Sequence, residues 1–309
     1  MKKNDPKGGV MMKKIPEGVM VPLITPFHAD ESIDFDGYKK IIDYTIEGGM
    51  HSILVGGSTG EYHMMTLEER KTLIKKGCEF AAGRVPVMAG TGESTAKATI
   101  ELTNYAADCG ATWALVLPPF YQQTTEAGIY EFFREIAEES KIGIVIYHNP
   151  GATNVELTPD FIAELAKLDN IVAVKDTTDE RHTCQTIAKT RGIPDFTVIE
   201  AEEHLLLPTY SIGGTAAFSI LFNLLPKEMR KMYDLAVVKN DFNAAIELNA
   251  KLVPFYDLME AEPYPGPVKA GLDCLGLPGG IVRKPLTQPS DEMRATMRKL
   301  LADIGYEVK

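Results

Sequence analysis

From residue 19 onward, short runs rich in Val, Ile and Leu recur between longer amphipathic stretches, and no other feature constrains the fold as tightly. A strand that is apolar along its whole length must be covered on both faces, as in a parallel sheet whose crossovers are helices. Eight such runs stand out, at residues 19–24, 52–55, 85–89, 113–117, 143–147, 171–175, 196–199 and 215–218. Segments of helical period follow them at 35–47, 67–81, 95–109, 125–139, 159–167, 181–190, 203–211 and 226–238. Thr66 three residues ahead of Glu69 reads as a capping box, and Thr158 before Pro159 as a cap with proline at the first helical position. Eight strands with eight crossover helices predict an α/β fold, a closed (β/α)₈ TIM barrel. An open doubly wound sheet would carry a glycine-rich phosphate turn after its first strand, and the chain there reads Thr25-Pro26-Phe27.

Beyond Lys239 the strand pattern stops and helical stretches follow at 242–260, 267–275 and 291–304. The expected organisation is a loose polar tail over residues 1–14, with Met11 or Met12 as candidate natural starts, a barrel over 15–238 and a helical appendage over 239–309. The segment from Ala261 to Pro267, dense in proline and glycine, reads as a rigid turn between two appendage helices.

Composition narrows the partners. A net charge of −11 lacks the basic face that nucleic acid or an anionic membrane surface requires, so neither is an expected partner and a small molecule is. No apolar run approaches the roughly twenty residues of a membrane span, and no secretory signal is visible, so a cytoplasmic protein is expected. Cys78, Cys109, Cys184 and Cys274 form no C-x-x-C pair, which suggests reduced thiols, not a zinc knuckle or a redox dithiol.

In a barrel of this kind chemistry sits at the C-terminal ends of the strands. The sixth run, Ile171-Val172-Ala173-Val174-Lys175, finishes in a primary amine. An amine at an apolar barrel mouth is partly desolvated, which favours the neutral form that attacks a carbonyl. The other reading of Lys175 is a strand-end ammonium paired with a carboxylate such as Asp176. The fifth run ends in Tyr147, and the fourth is followed by Pro118-Pro119-Phe120-Tyr121. A phenol beside an iminium can shuttle protons; a strand-end tyrosine can equally be a packing residue with its hydroxyl in water. After the second run, Gly56-Gly57-Ser58-Thr59-Gly60-Glu61 can turn tightly with amides inward, a nest for a carboxylate, or can be a plain βα turn. His28, His51, His63, His148, His182 and His204 show no metal-ligand spacing, so no metal is expected.

Taken in order, these strand-end residues resemble the dihydrodipicolinate synthase and N-acetylneuraminate lyase family, the pyruvate-dependent class I aldolases. The resemblance runs from about Gly18 to the C-terminal helices. It is carried by Thr25-Pro26-Phe27, Gly57 to Glu61, Ala89-Gly90-Thr91-Gly92, Pro118 to Tyr121, Tyr147 with Pro150, Val174-Lys175, Gly213-Gly214 and Pro267-Val268-Lys269. It implies that Lys175 is the Schiff-base nucleophile and Tyr147 the proton shuttle. Gly57, Ser58 and Thr59 would hold the pyruvate carboxylate, and Ser58 would relay protons between Tyr147 and Tyr121. The counterpart of Tyr121 in the family reaches into a neighbouring subunit. The main chain at Phe218 would line the pocket, with Thr177 and Glu203 matching the neuraminate lyase pattern. A homotetramer built as a dimer of dimers is implied, with no metal or organic cofactor.

Departures from the family pattern bear on substrate. Ala152 stands where true synthases carry an arginine that grips the carboxylate of the aldehyde substrate. Leu67, Ala98 and Phe120 replace the histidine, glutamate and tyrosine of lysine-inhibited members, so feedback by lysine is not expected. The expected activity is a lyase that cleaves, condenses or dehydrates at a lysine adduct of pyruvate or of a 2-keto-3-deoxy acid, with an aldehyde or sugar acid as second substrate. Authentic 4-hydroxy-tetrahydrodipicolinate synthase and a catalytically silent 2-oxo acid binding barrel are the alternatives.

Overall fold

The computed structural model describes residues 15–309 and shows a closed barrel of eight parallel strands in sequential order. The strands are β1 (Gly18–Pro22), β2 (Ser52–Val55), β3 (Val87–Gly90), β4 (Trp113–Val116), β5 (Gly143–His148), β6 (Ile171–Asp176), β7 (Thr197–Glu200) and β8 (Ala216–Phe218). β3 starts later than the sequence suggests because Pro86 has no N–H to give the ladder; its carbonyl instead accepts from Ile53 N at 3.2 Å. The tail expected over residues 1–14 lies outside the described residues.

Outside the strands run α1 (Phe35–Glu47), α2 (Leu67–Ala81), α3 (Ala96–Asp108), α4 (Glu126–Glu139), a single turn α5 (Pro150–Thr153), α6 (Pro159–Leu165), α7 (Glu180–Thr190), α8 (Leu206–Ser211) and α9 (Pro226–Tyr233). Both caps read from the sequence form: Thr66 and Glu69 exchange the two bonds of a capping box, and Thr158 accepts from Phe161 N. The segment expected as one helix at 226–238 changes to a π turn over Asp234–Val238, and the one at 203–211 opens as a 3-10 turn over Glu203–Leu205. Helices α10 (Phe242–Glu260), α11 (Gly266–Cys274) and α12 (Asp291–Asp303) complete the chain. Among the described residues no helix is long and apolar enough to cross a membrane.

Strand alternation divides the core into two layers. Met20, Leu54, Met88, Leu115, Val145 and Phe218 fill the barrel interior, while Val21, Ile53, Ile146 and Val174 point outward against the helices. Between β5 and β6 the pairing register shifts: Ile144 faces Ile171, but Val145 faces Ala173, so Val172 is an extra residue on β6. Beyond that bulge Tyr147 pairs with Lys175 and His148 with Asp176.

Candidate active site

Lys175 and Tyr147, opposite each other on β6 and β5, both turn into the C-terminal mouth of the barrel. Lys175 is 8% exposed, and its Nζ lies 4.1 Å from the Tyr147 ring centre and 5.7 Å from that of Phe218. Nζ donates to Thr177 Oγ1 at 3.3 Å. It makes no ion pair with Asp176, whose carboxylate points to the outer face of the strand, toward His148 and His182. The ion-pair reading of Lys175 therefore loses its partner, and the amine faces the cavity.

The phenol is held from several sides. Asn149 Nδ2 donates to Tyr147 Oη at 3.0 Å, and the amide's orientation is fixed because its Oδ1 accepts from Ala152 N, capping α5. Burial pushes the Tyr147 phenol up, but the Lys175 charge and hydrogen bonds from Asn149, Ser58 and Lys175 outweigh it and leave the phenol below its ordinary value. Ser58 stands beside the phenol at the same mouth.

Ser58 and Thr59 open the 3-10 turn that follows β2. Gly56 makes the exit from the strand at φ 68°, and its carbonyl sits where any Cβ on Gly90 would be, so both positions need glycine. Thr59 Oγ1 shares a short hydrogen bond with the hydroxyl of Tyr264, from the segment between α10 and α11. Glu61 closes the turn in the left-handed region at φ 58° and is fully buried; its carboxylate binds Lys269 Nζ of α11 and accepts from Arg283 N at 2.9 Å. The C-terminal helices hold the turn in place through these contacts.

The cavity at this mouth has a volume of about 330 Å³. Ser58, Thr59, Tyr147, Lys175, Thr177, Glu203 and Phe218 all line it, so the structure brings most of the residues singled out in the sequence together. Gly57 borders an adjoining narrow cleft with Ser58, Tyr62 and Tyr147. Tyr121 is not in the cavity: it stands 83% exposed in the loop after β4.

Also lining the cavity are Asn149, Glu202, Glu260 and Tyr264. Asn149 had a signal, since asparagine before proline caps a helical turn. Glu260 and Tyr264 had none, because they come from a helix end and turn some eighty residues beyond the sixth strand. Burial, then the neighbouring Glu203, raise the Glu202 carboxyl to about 7 against the opposing pull of Lys175. Glu203 is raised by burial, while its Oε1 accepts from Ile220 N at 2.8 Å. Among the described residues Lys175 is the one basic side chain lining the cavity, and it faces three carboxylates, Glu202, Glu203 and Glu260.

On the outer side of the same strand ends, His148, Glu156 and His182 place ligand atoms within 4.8 Å of one another. The histidine nitrogens nearest Glu156 are already committed. His148 Nε2 accepts from Leu157 N at 3.1 Å and His182 Nε2 donates to Leu157 O at 2.9 Å, so a metal would have to break both bonds.

A closed (β/α)₈ barrel with a buried amine against a phenol at its C-terminal rim defines a lyase of the lysine Schiff-base, class I aldolase type. The Dihydrodipicolinate synthetase family model matches residues 15–304, and the chain belongs to that family. It is 37% identical over 288 residues to the 4-hydroxy-tetrahydrodipicolinate synthase of Stenotrophomonas maltophilia, covering 93% of this chain and 96% of that one. Among solved structures it is similar to dihydrodipicolinate synthase from Aquifex aeolicus, with a TM-score of 0.89 and 32% identity over 95% of this chain and 99% of that one. The chloride-inhibited dihydrodipicolinate synthase from Acinetobacter baumannii, solved with pyruvate, gives 0.88 and 32% over 95% of this chain and 100% of that one.

Proposed function

We propose that Lys175 condenses with the keto carbon of pyruvate, or with C2 of a 2-keto-3-deoxy acid, and that the enzyme makes or breaks a bond at C3 of the adduct. The observation that supports this reading is the Lys175 amine, 4.1 Å from the Tyr147 ring centre in a cavity and free of the neighbouring Asp176. Attack by the neutral amine gives a carbinolamine; loss of its hydroxyl as water, with a proton supplied through Tyr147 and Ser58, gives the iminium. Withdrawal of a C3 proton, or departure of an aldehyde from C3, places the electron pair in an enamine, with the iminium as electron sink. Addition of C3 to an aldehyde runs the same step backward, and hydrolysis returns the free amine.

Ser58 and Thr59 hold the substrate carboxylate through amides at the first positions of their turn, where backbone N–H groups have no partner within the turn. Thr177 and the Phe218 main chain complete the pyruvate half. The acceptor half is walled by Glu202, Glu203 and Glu260, with Ala152 where the clamp arginine of synthases stands. Carboxylates accept hydrogen bonds from hydroxyls and repel a second carboxylate. The wall therefore suits a polyhydroxy aldehyde or sugar acid better than a carboxylate-bearing aldehyde, in keeping with the neuraminate lyase pattern at Thr177 and Glu203. Tyr121 and Phe120, exposed beside the mouth, face a neighbouring subunit of a homotetramer.

Borohydride reduction in the presence of pyruvate tests the reading: a covalent three-carbon fragment is expected on Lys175 and is lost in Lys175→Ala. No adduct on the wild type refutes it. Assay with pyruvate and aspartate semialdehyde separates the biosynthetic synthase, the activity named for the relatives, from the sugar-acid reading.

A further inference from the structure

The residues next in sequence to the reacting pair do something the proposed chemistry does not use. Because strand side chains alternate, His148 and Asp176 point away from the cavity when Tyr147 and Lys175 point into it. Both are fully buried. Asp176 Oδ1 meets His148 Nδ1 at 3.1 Å and its Oδ2 meets His182 Nδ1 of α7 at 2.9 Å, and Thr178 Oγ1 donates to Oδ1 at 2.8 Å. Both imidazoles then close on the backbone of one residue, Leu157.

These bonds fix the protons. A backbone N–H can only donate, so His148 Nε2, facing Leu157 N, carries a lone pair; its proton is on Nδ1 and goes to Asp176. A carbonyl can only accept, so His182 Nε2, facing Leu157 O, carries a proton. A neutral His182 would then turn a lone pair on Nδ1 toward the Asp176 carboxylate, lone pair against lone pair at hydrogen-bond distance. With Asp176 ionised, the contact is attractive only if Nδ1 is protonated as well.

We infer that His182 is held as an imidazolium at neutral pH, that His148 is neutral, and that with Asp176 they form an outer brace which positions Lys175 and Tyr147 across β5 and β6. The positioning half of this inference rests on the reading of Lys175 as nucleophile; the charge half does not. The surrounding groups agree with it. Burial pushes the Asp176 carboxyl up, but bonds from His148 and His182 hold it down at about 2, so it is the anion of the pair. Burial opposes charge on His182, and Asp176, Leu157 O and Glu156 together outweigh it. The charged groups around the ring are Asp176 on β6, Glu156 with Oε1 at 3.6 Å, Glu200 paired with Asp176 from β7, and Asp179 and Arg181 at the start of α7. Glu200 is itself raised by burial.

When His182 loses its proton the brace becomes repulsive on one side, and the strand edge that carries Lys175 is no longer pulled against the Leu157 loop and α7. A misplacement of about 1 Å at a reacting group can cost as much as a hundredfold in rate, so a loosened edge is visible in kinetics.

The test pairs a ring titration with adduct formation. Imidazole ¹⁵N shifts are followed from about pH 5 to about pH 9 in wild type and in Glu156→Gln, which removes an exposed anion and leaves the fold alone. His182 should carry two protons near neutrality and titrate above the free-histidine value of about 6.5. His148 should carry its proton on Nδ1, with the Nε2 lone pair facing Leu157 N. Glu156→Gln should lower the His182 midpoint by roughly half a pH unit. The borohydride trapping rate with pyruvate should drop as His182 deprotonates, shift with its midpoint in Glu156→Gln, and show no inflection there in His182→Gln, where trapping is about tenfold slower throughout. A neutral His182 ring at neutral pH overturns the inference, as does a trapping profile that ignores the His182 midpoint in both variants. If no adduct forms at any pH the Lys175 reading fails instead, and the ring shifts alone decide the charge of the brace.

Discussion

Substitution of Lys269 by Met puts a number on how the C-terminal helices hold the turn of Ser58 and Thr59. Lys269 is 1% exposed; its ammonium binds Glu61, donates to Ile281 O at 2.6 Å and lies 4.6 Å from the centre of the Phe27 ring. Methionine fills nearly the same volume, so the change removes charge with little loss of packing. It leaves a fully buried carboxylate on Glu61 with the Arg283 amide as its remaining partner, a loss of about 3–5 kcal/mol by precedent for broken buried pairs. Glu61→Gln/Lys269→Met removes both charges, and the cycle should return a coupling of roughly 2–3 kcal/mol. Urea unfolding at constant m gives each value. Turnover should fall with stability, because Glu61 ends the turn that carries Ser58 and Thr59. A pH arm checks the sign. Burial pushes the Lys269 ammonium down to about 8 against the pull of Glu61, below the 10.5 of a free lysine, so the folded chain binds this proton less tightly than the unfolded one. Wild type should gain stability as pH rises from about 8 toward 10.5, and Lys269→Met should not. A loss under about 1 kcal/mol, with coupling near zero, would refute the reasoning.

Two further outcomes concern the cavity itself. Tyr147→Phe keeps the ring against Lys175 but removes the hydroxyl, so kcat should fall by about 10²–10⁴ with a small change in KM for pyruvate; an unchanged kcat in steady-state assays would remove the phenol from proton transfer. Glu202 is raised to about 7, so the folded state favours its proton, and that contribution, complete below the unfolded value of 4.5, is lost as pH rises through about 7. Glu202→Gln should therefore be more stable than wild type above that pH in thermal unfolding while binding the acceptor more weakly; equal stabilities on both sides of it would contradict the assignment.

Much of this was legible in the chain. The apolar runs and the caps at Thr66 and Thr158 lie close together in sequence, and local signals of that kind specify strands, helices and hence the barrel. That Lys175, Tyr147 and Ser58 meet at one mouth was legible because each stands at the C-terminal end of a strand or just beyond it. The contacts that wall the far side of the cavity were not. Glu260 and Tyr264 reach the mouth from the C-terminal helices, and nothing in their own neighbourhood marks them. Nor did histidine spacing reveal that His148 and His182, thirty-four positions apart, close on one carboxylate. That follows from the pairing of β5 with β6 and the docking of α7.

The extra residue at Val172 puts two neighbouring side chains, Val172 and Ala173, on the inner wall of the sixth strand. Loss of Val172 would straighten the strand, restore strict alternation and leave Lys175 inward, still opposite Tyr147. The outcome would be a cylinder that keeps its amine at the rim and loses one apolar group from its lining. This stretch therefore carries one residue more than its ladder requires, and what that residue supplies is inner lining, not the facing of Lys175.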